Sequence, residues 1–226
     1  MTLDSQALHS SGITAYQAGN IALAVQLIEQ AIESNPTAAL FHSNLGEIYR
    51  QLKATHLSIQ YGKNAIALDP SSATAWSNLG IAYYDAKQYE DAENCHKRAL
   101  TINPHLVFSL NNMGSIYKLY GQTKQAIEFY QAAIAVAPDA VEPLNNLGAL
   151  FLQQQEFSAA LTYLRRAIIS APEFVDGHCN LGLVLLGLNQ YENALIHLTK
   201  TLQLNPDYAA APVSYTHLTL PTIYSV

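Results

Sequence analysis

Five asparagines, Asn44, Asn78, Asn112, Asn146 and Asn180, recur every 34 residues and are the side chains best suited to polar recognition. Each carboxamide offers one acceptor oxygen and two N–H donors, so it can pair with both the N–H and the C=O of a peptide backbone. Asparagine is a mediocre helix former that competes for backbone bonds. Five copies at one register of a helical pattern therefore argue for a task. Two tasks fit: holding a ligand backbone, or hydrogen bonding within the repeat. Tyr16, Arg50, Tyr84 and Lys118 occupy a neighbouring register that changes from copy to copy, which suits reading a ligand's side chains.

Covalent and metal chemistry find little support. His42, His56, His96, His105, His178 and His197 fall in scattered registers without ligand spacing, so packing or surface roles are expected and no metal site. Cys95 and Cys179 form no CxxC pair and read as small buried thiols. No glycine-rich phosphate loop follows a strand, and no strand is expected at all. Glu90 and Asp91 open a helix, where acids favour the dipole. The expected protein is non-catalytic and takes no cofactor.

The elements that position the asparagines follow from the period. Gly12, Gly46, Gly80, Gly114, Gly148 and Gly182 are 34 residues apart, as are Pro36, Pro70, Pro104, Pro138, Pro172 and Pro206. A fixed period of this length marks stacked repeats. The predicted units are 5–38, 39–72, 73–106, 107–140, 141–174 and 175–208, and a truncated seventh begins at 209–212. Each reads as two amphipathic helices, for example Ala73 to Ala86 and Glu90 to Ile102. Turns such as Gly19-Asn20, Lys87-Gln88, Gly121-Gln122 and Asn189-Gln190 end the first helix, and the prolines end the second. A mid-helix glycine costs ~1 kcal/mol against alanine. Six of them imply close approach of a neighbouring helix, with Ala24, Ser58, Ala92, Ala126, Ala160 and Ala194 as small partners and Tyr49, Tyr83, Tyr117 and Phe151 slotted between.

The pattern Trp76, Leu79-Gly80, Tyr83, Ala92, Ala99, Pro104 resembles the tetratricopeptide repeat, over about nine-tenths of the chain. The resemblance implies an all-α, right-handed superhelical solenoid of helix-turn-helix repeats, with first helices lining a concave groove and the asparagines pointing into it. It further implies a protein–protein interaction scaffold that binds an extended polypeptide. The asparagine register is also similar to that of the O-linked N-acetylglucosamine transferases, which implies, as an alternative, the substrate-recruiting arm of a larger glycosyltransferase. The lysines of a chaperone-tail clamp are missing from the register of His9, Ser43, Ser77, Asn111, Asn145 and Cys179, which disfavours that role.

Bulk properties narrow the partner. A net charge of −6 argues against nucleic acid, whose phosphates want a basic stripe. No apolar run reaches the ~20 residues of a membrane span, and no signal peptide is visible, so a cytoplasmic protein is expected. Residues 213–226 resemble the in-frame translation of a transposase-type sequencing adapter and are expected to be non-native. The last repeat would then be uncapped, offering a surface for self-association.

Overall fold

The computed structural model describes residues 4–208, so the expectations for 209–212 and 213–226 lie outside the described residues. Among the described residues there are twelve helices and no strand: α1 (Ser5–Gln17), α2 (Ile21–Ser34), α3 (Ala39–Gln51), α4 (Thr55–Leu68), α5 (Ala73–Asp85), α6 (Tyr89–Ile102), α7 (Val107–Leu119), α8 (Thr123–Val136), α9 (Val141–Gln153), α10 (Phe157–Ser170), α11 (Val175–Gly187) and α12 (Tyr191–Leu204). The chain divides into two compact units, Met1–Ile116 and Tyr117–Val226. Within the first, α1 packs on α2, α3 on α4 and α5 on α6 as antiparallel hairpins, and α3 lies along α5. Within the second, α9 packs on α10 and α11 on α12, and α9 lies along α11.

One backbone device makes every described turn between paired helices. Gly19, Lys53, Lys87, Gly121, Gln155 and Asn189 all have φ between 58° and 79°. The amide one residue later reaches back five positions, as in Asn20 N–H to Ala15 O and Ala54 N–H to Tyr49 O, both 2.9 Å. This is the six-to-one bond of a Schellman ending, which needs the left-handed conformation just past the helix. Only two of the six positions are glycine. At the other boundary, the residue before each proline is pushed out of the helical region. Asn35 (φ −141°, ψ 83°) and Asn103 (φ −133°, ψ 97°) show it.

The recurrent glycine admits the second helix of its own hairpin. A Cβ on Gly12 would lie 2.6 Å from Ile28 Cγ1 and 3.3 Å from the Ala24 carbonyl oxygen. On Gly148 it would lie 2.6 Å from Leu164 Cγ, and on Gly182 2.7 Å from Leu198 Cγ. The expected small partners are sealed: Ala24, Ala92, Ala126, Ala160 and Ala194 are fully buried, and Ser58 nearly so. Three of the four large residues opposite them stack on aromatic rings of the second helix. Tyr49 meets Tyr61 at 5.5 Å, Tyr117 meets Phe129 at 5.3 Å and Phe151 meets Tyr163 at 5.7 Å between centroids. Such pairs add ~0.5–1.5 kcal/mol beyond the area they bury.

Candidate peptide-binding face

The asparagines sit where consecutive first helices run side by side, each half-buried. In the first unit, the Asn44 carboxamide nitrogen donates to His9 Nε2 at 3.0 Å, from α3 to α1. Asn78 Nδ2 donates to Ser43 Oγ at 3.2 Å, from α5 to α3. In the second unit, Asn180 Nδ2 donates to Asn145 Oδ1 at 2.9 Å, from α11 to α9. Each bond reaches 35 residues back, to the side chain just before the asparagine of the preceding copy. The bonding is thus neither free nor within one repeat; it ties one first helix to the next. The carboxamide oxygens of Asn44, Asn78 and Asn180 are not among the buried polar atoms left without a partner. Asn112, in the first unit, and Asn146, in the second, are half-buried at the same register.

The register of Tyr16, Arg50, Tyr84 and Lys118 is more occupied than the sequence suggested. Arg50 grips Glu47 with two prongs, Nε and Nη2 each 2.8 Å from a carboxylate oxygen, and its Nη1 reaches Asp85 on α5 at 3.0 Å. The Glu47 carboxylate is the main reason that the Arg50 guanidinium holds its proton even more tightly than usual. Arg50 therefore cross-links α3 to α5 and borders an open hollow of about 460 Å³ with Gln51, Lys53, Thr55 and Asp85. Burial raises the Tyr16 phenol, helped by Glu47. Burial likewise raises that of Tyr84, which meets Tyr89 edge-on at 5.4 Å. Lys118 is exposed in the last turn of α7.

Sequence reading missed three polar arrangements. The position of Trp76 is held by histidine in two other copies, and in all three the ring N–H donates to the proline carbonyl six residues earlier. His42 Nε2 reaches Pro36 at 3.0 Å, Trp76 Nε1 reaches Pro70 at 3.0 Å and His178 Nε2 reaches Pro172 at 2.9 Å. A ring N–H six residues after a proline was the available signal. The second is a buried chain across α5, α6 and α7: Ser109 Oγ donates to Ser77 Oγ at 3.0 Å, and His96 Nδ1 lies 3.2 Å from Ser109. Because the Ser109 proton goes to Ser77, His96 donates from Nδ1. Its Nε2 is left buried and without a partner, and burial lowers its pKa to about 4. The third joins two histidines that the sequence places 19 residues apart: His178 Nδ1 and His197 Nδ1 are 3.0 Å from each other. The two thiols are buried as expected, and burial pushes Cys95 up to about 12.

Helical hairpins repeated at a fixed period, with polar residues along their first helices and closed cores behind, define a helical-repeat scaffold. Models of the tetratricopeptide repeat match residues 36–104, 71–139, 121–175 and 175–208. Together these spans cover well over half of the chain, which belongs to the tetratricopeptide repeat family. Repeats of this family are scaffolds rather than catalysts. No curated protein matches the sequence. The chain is similar in structure to a chain of the APC/C hetero-tetramer Cut9-Hcn1 (TM-score 0.89, 15% identity, 96% of this chain and 43% of that one). It is also similar to PilF of Pseudomonas aeruginosa (0.81, 18%, 96% and 97%). A third likeness is to YrrB, described as a TPR protein with an unusual peptide-binding site (0.58, 22%, 81% and 95%). At these identities the likeness shows the fold, that of tetratricopeptide-repeat solenoids. The chain spans less than half of the APC/C chain it matches. No described helix is long and apolar enough to cross a membrane.

Proposed function

We propose that in each unit the face built by the first helices binds an extended polypeptide, with the asparagines holding its backbone and the register of Tyr16, Arg50, Tyr84 and Lys118 meeting its side chains. The orientation of the carboxamides carries this reading. Asn44, Asn78 and Asn180 each give an N–H to the preceding repeat, so each oxygen is held in one direction before any ligand arrives. A fixed acceptor loses less side-chain entropy on binding than a free one. Adjacent first helices lie ~8–10 Å apart and an extended chain rises ~3.3 Å per residue, so one rung meets every third residue whatever its side chain. Asn112, in the first unit, and Asn146, in the second, share this register within their own units. The partner is a protein met in the cytoplasm, and the negative net charge disfavours nucleic acid.

The test separates the two jobs of the register. Binders selected from a displayed library of random extended peptides are titrated against the intact chain, Asn78→Ala and Ser43→Ala. Ser43→Ala removes the brace and keeps the acceptor; Asn78→Ala removes both. The expected result is weaker binding by Asn78→Ala at a site that Ser43→Ala retains. Equal affinities for all three proteins would refute the ladder. The alternative, a recruiting arm of a glycosyltransferase, rests on the asparagine register alone. It gains support only if the gene continues into a sugar-nucleotide-binding α/β region.

A further inference from the structure

We propose that His178 and His197 form a two-imidazole site for a divalent transition-metal ion, bridging α11 and α12. Two ring nitrogens lie 3.0 Å apart. Nitrogens bound to one tetrahedral zinc at ~2.0–2.1 Å are ~3.3 Å from each other, so the rings need to part by only a few tenths of an ångström. The other nitrogen of His178 donates to the Pro172 carbonyl at 2.9 Å. That bond is the outer-shell support typical of a ligating histidine, because it fixes the tautomer and leaves the Nδ1 lone pair facing the ion.

The protonation states fit. His178 carries its proton on Nε2, so in the metal-free pair Nδ1 of His197 donates to Nδ1 of His178. Metal entry then needs no net proton release: the His197 proton moves from Nδ1 to Nε2, and both Nδ1 lone pairs turn to the ion. No third His, Cys, Asp or Glu joins them among the described residues. The remaining positions belong to water or to a partner's side chain. An open hollow of about 510 Å³ beside the pair, lined by Leu195, Ile196, Thr199 and Gln203, gives them room. Imidazole without carboxylate selects zinc, nickel or copper over magnesium or calcium. The positive Arg165 nearby and Lys200 on the hollow's rim oppose a dication, so the site is weaker than a closed four-ligand one.

The molecule contains its own control. In the second repeat the same two registers hold His42 and Tyr61, with centroids 5.9 Å apart and planes at 31°, against 5.2 Å and 29° for His178 and His197. His197→Tyr therefore recreates a pair that this fold already accommodates, with one ligand removed. The intact chain, labelled on histidine ring nitrogen, is titrated with zinc chloride and followed by NMR, beside His197→Tyr and a magnesium chloride control. The expected result is one zinc per chain, shifts at both Nδ1 atoms of the pair, and an affinity loss of at least about tenfold in the variant. Magnesium should shift neither ring. Unmoved rings in the wild type at tenfold excess of zinc would overturn the site, whatever the variant does. Equal zinc affinity in a folded His197→Tyr would overturn it too, assigning the ion to surface histidines such as His56 or His105.

Discussion

Replacing His96 by Leu should stabilise the first unit and remove most of its acid sensitivity. His96 has no solvent exposure, and its ring lies directly under Gly80, where a Cβ would come within 2.8 Å of Cε1 and Nε2. Burial lowers its pKa from 6.5 to about 4. A histidine with a depressed folded pKa binds its proton first in the unfolded chain. Its contribution is complete above pH 6.5, shrinks as pH falls towards 4 and is flat below that. One pKa unit is 1.36 kcal/mol, so the full span is about 3 kcal/mol, of which about 2 kcal/mol is lost by pH 5.0. Leucine has none of this dependence. It also removes a buried nitrogen that has no partner, a group whose burial costs ~1–3 kcal/mol. Shape is no obstacle, because Leu164 and Leu198 already fill the same register beneath Gly148 and Gly182.

Trp76 is the only tryptophan of the chain and lies in the same repeat, so its fluorescence reports this hairpin during urea unfolding. At pH 7.5 His96→Leu should unfold at higher urea than the wild type. At pH 5.0 the gap should widen by about 2 kcal/mol. His9 and His197 also have lowered pKa values from burial, but they are common to both proteins and cancel in the difference. A His96→Leu protein less stable than the wild type at pH 7.5 would show that the His96, Ser109 and Ser77 chain is net stabilising. A gap independent of pH would show that His96 is not the acid-sensitive group.

Five further substitutions test the architecture. Lys87→Gly and Gln155→Gly, at φ 61° and 60°, should each stabilise by about 1 kcal/mol, because glycine adopts the left-handed turn without Cβ strain; unchanged denaturation midpoints would refute this. Ala133→Phe, at a fully buried position of α8, should destabilise by ~1–3 kcal/mol through overpacking, read as an earlier urea transition. Trp76→His should keep the bond to the Pro70 carbonyl that Trp76→Phe loses, leaving Phe about 1 kcal/mol the less stable of the two in thermal melts followed by circular dichroism.

The fold was legible because helix punctuation is local chemistry. A proline stops a helix through its own missing N–H, and a recurrent glycine signals a close neighbour without saying which one. α5 begins at Ala73 and α6 ends at Ile102, as the pattern predicts, with the opposite ends within a residue. Lys53 and Gln155 were harder to read as turns of the same kind as Lys87. Their left-handed conformation is imposed by the two helices they join, against the preference of the residues themselves.

The face was legible only as a register. Spacing gives 34 residues between asparagines, but the bonds run over 35, from each asparagine to the residue before its predecessor. That offset depends on how far one first helix slides past the next, a packing quantity that no single repeat encodes. The acceptor also differs at each step: His9, then Ser43, and Asn145 in the second unit. No motif links those three side chains, yet each presents an acceptor at the same place. The variable register before the asparagine therefore has a shared duty in these copies, and its variation tunes the brace as well as the surface. This sharpens the place of Ser43 in the binding test. It is the smallest of the three acceptors, and removing its hydroxyl changes the rung above it while altering the face least.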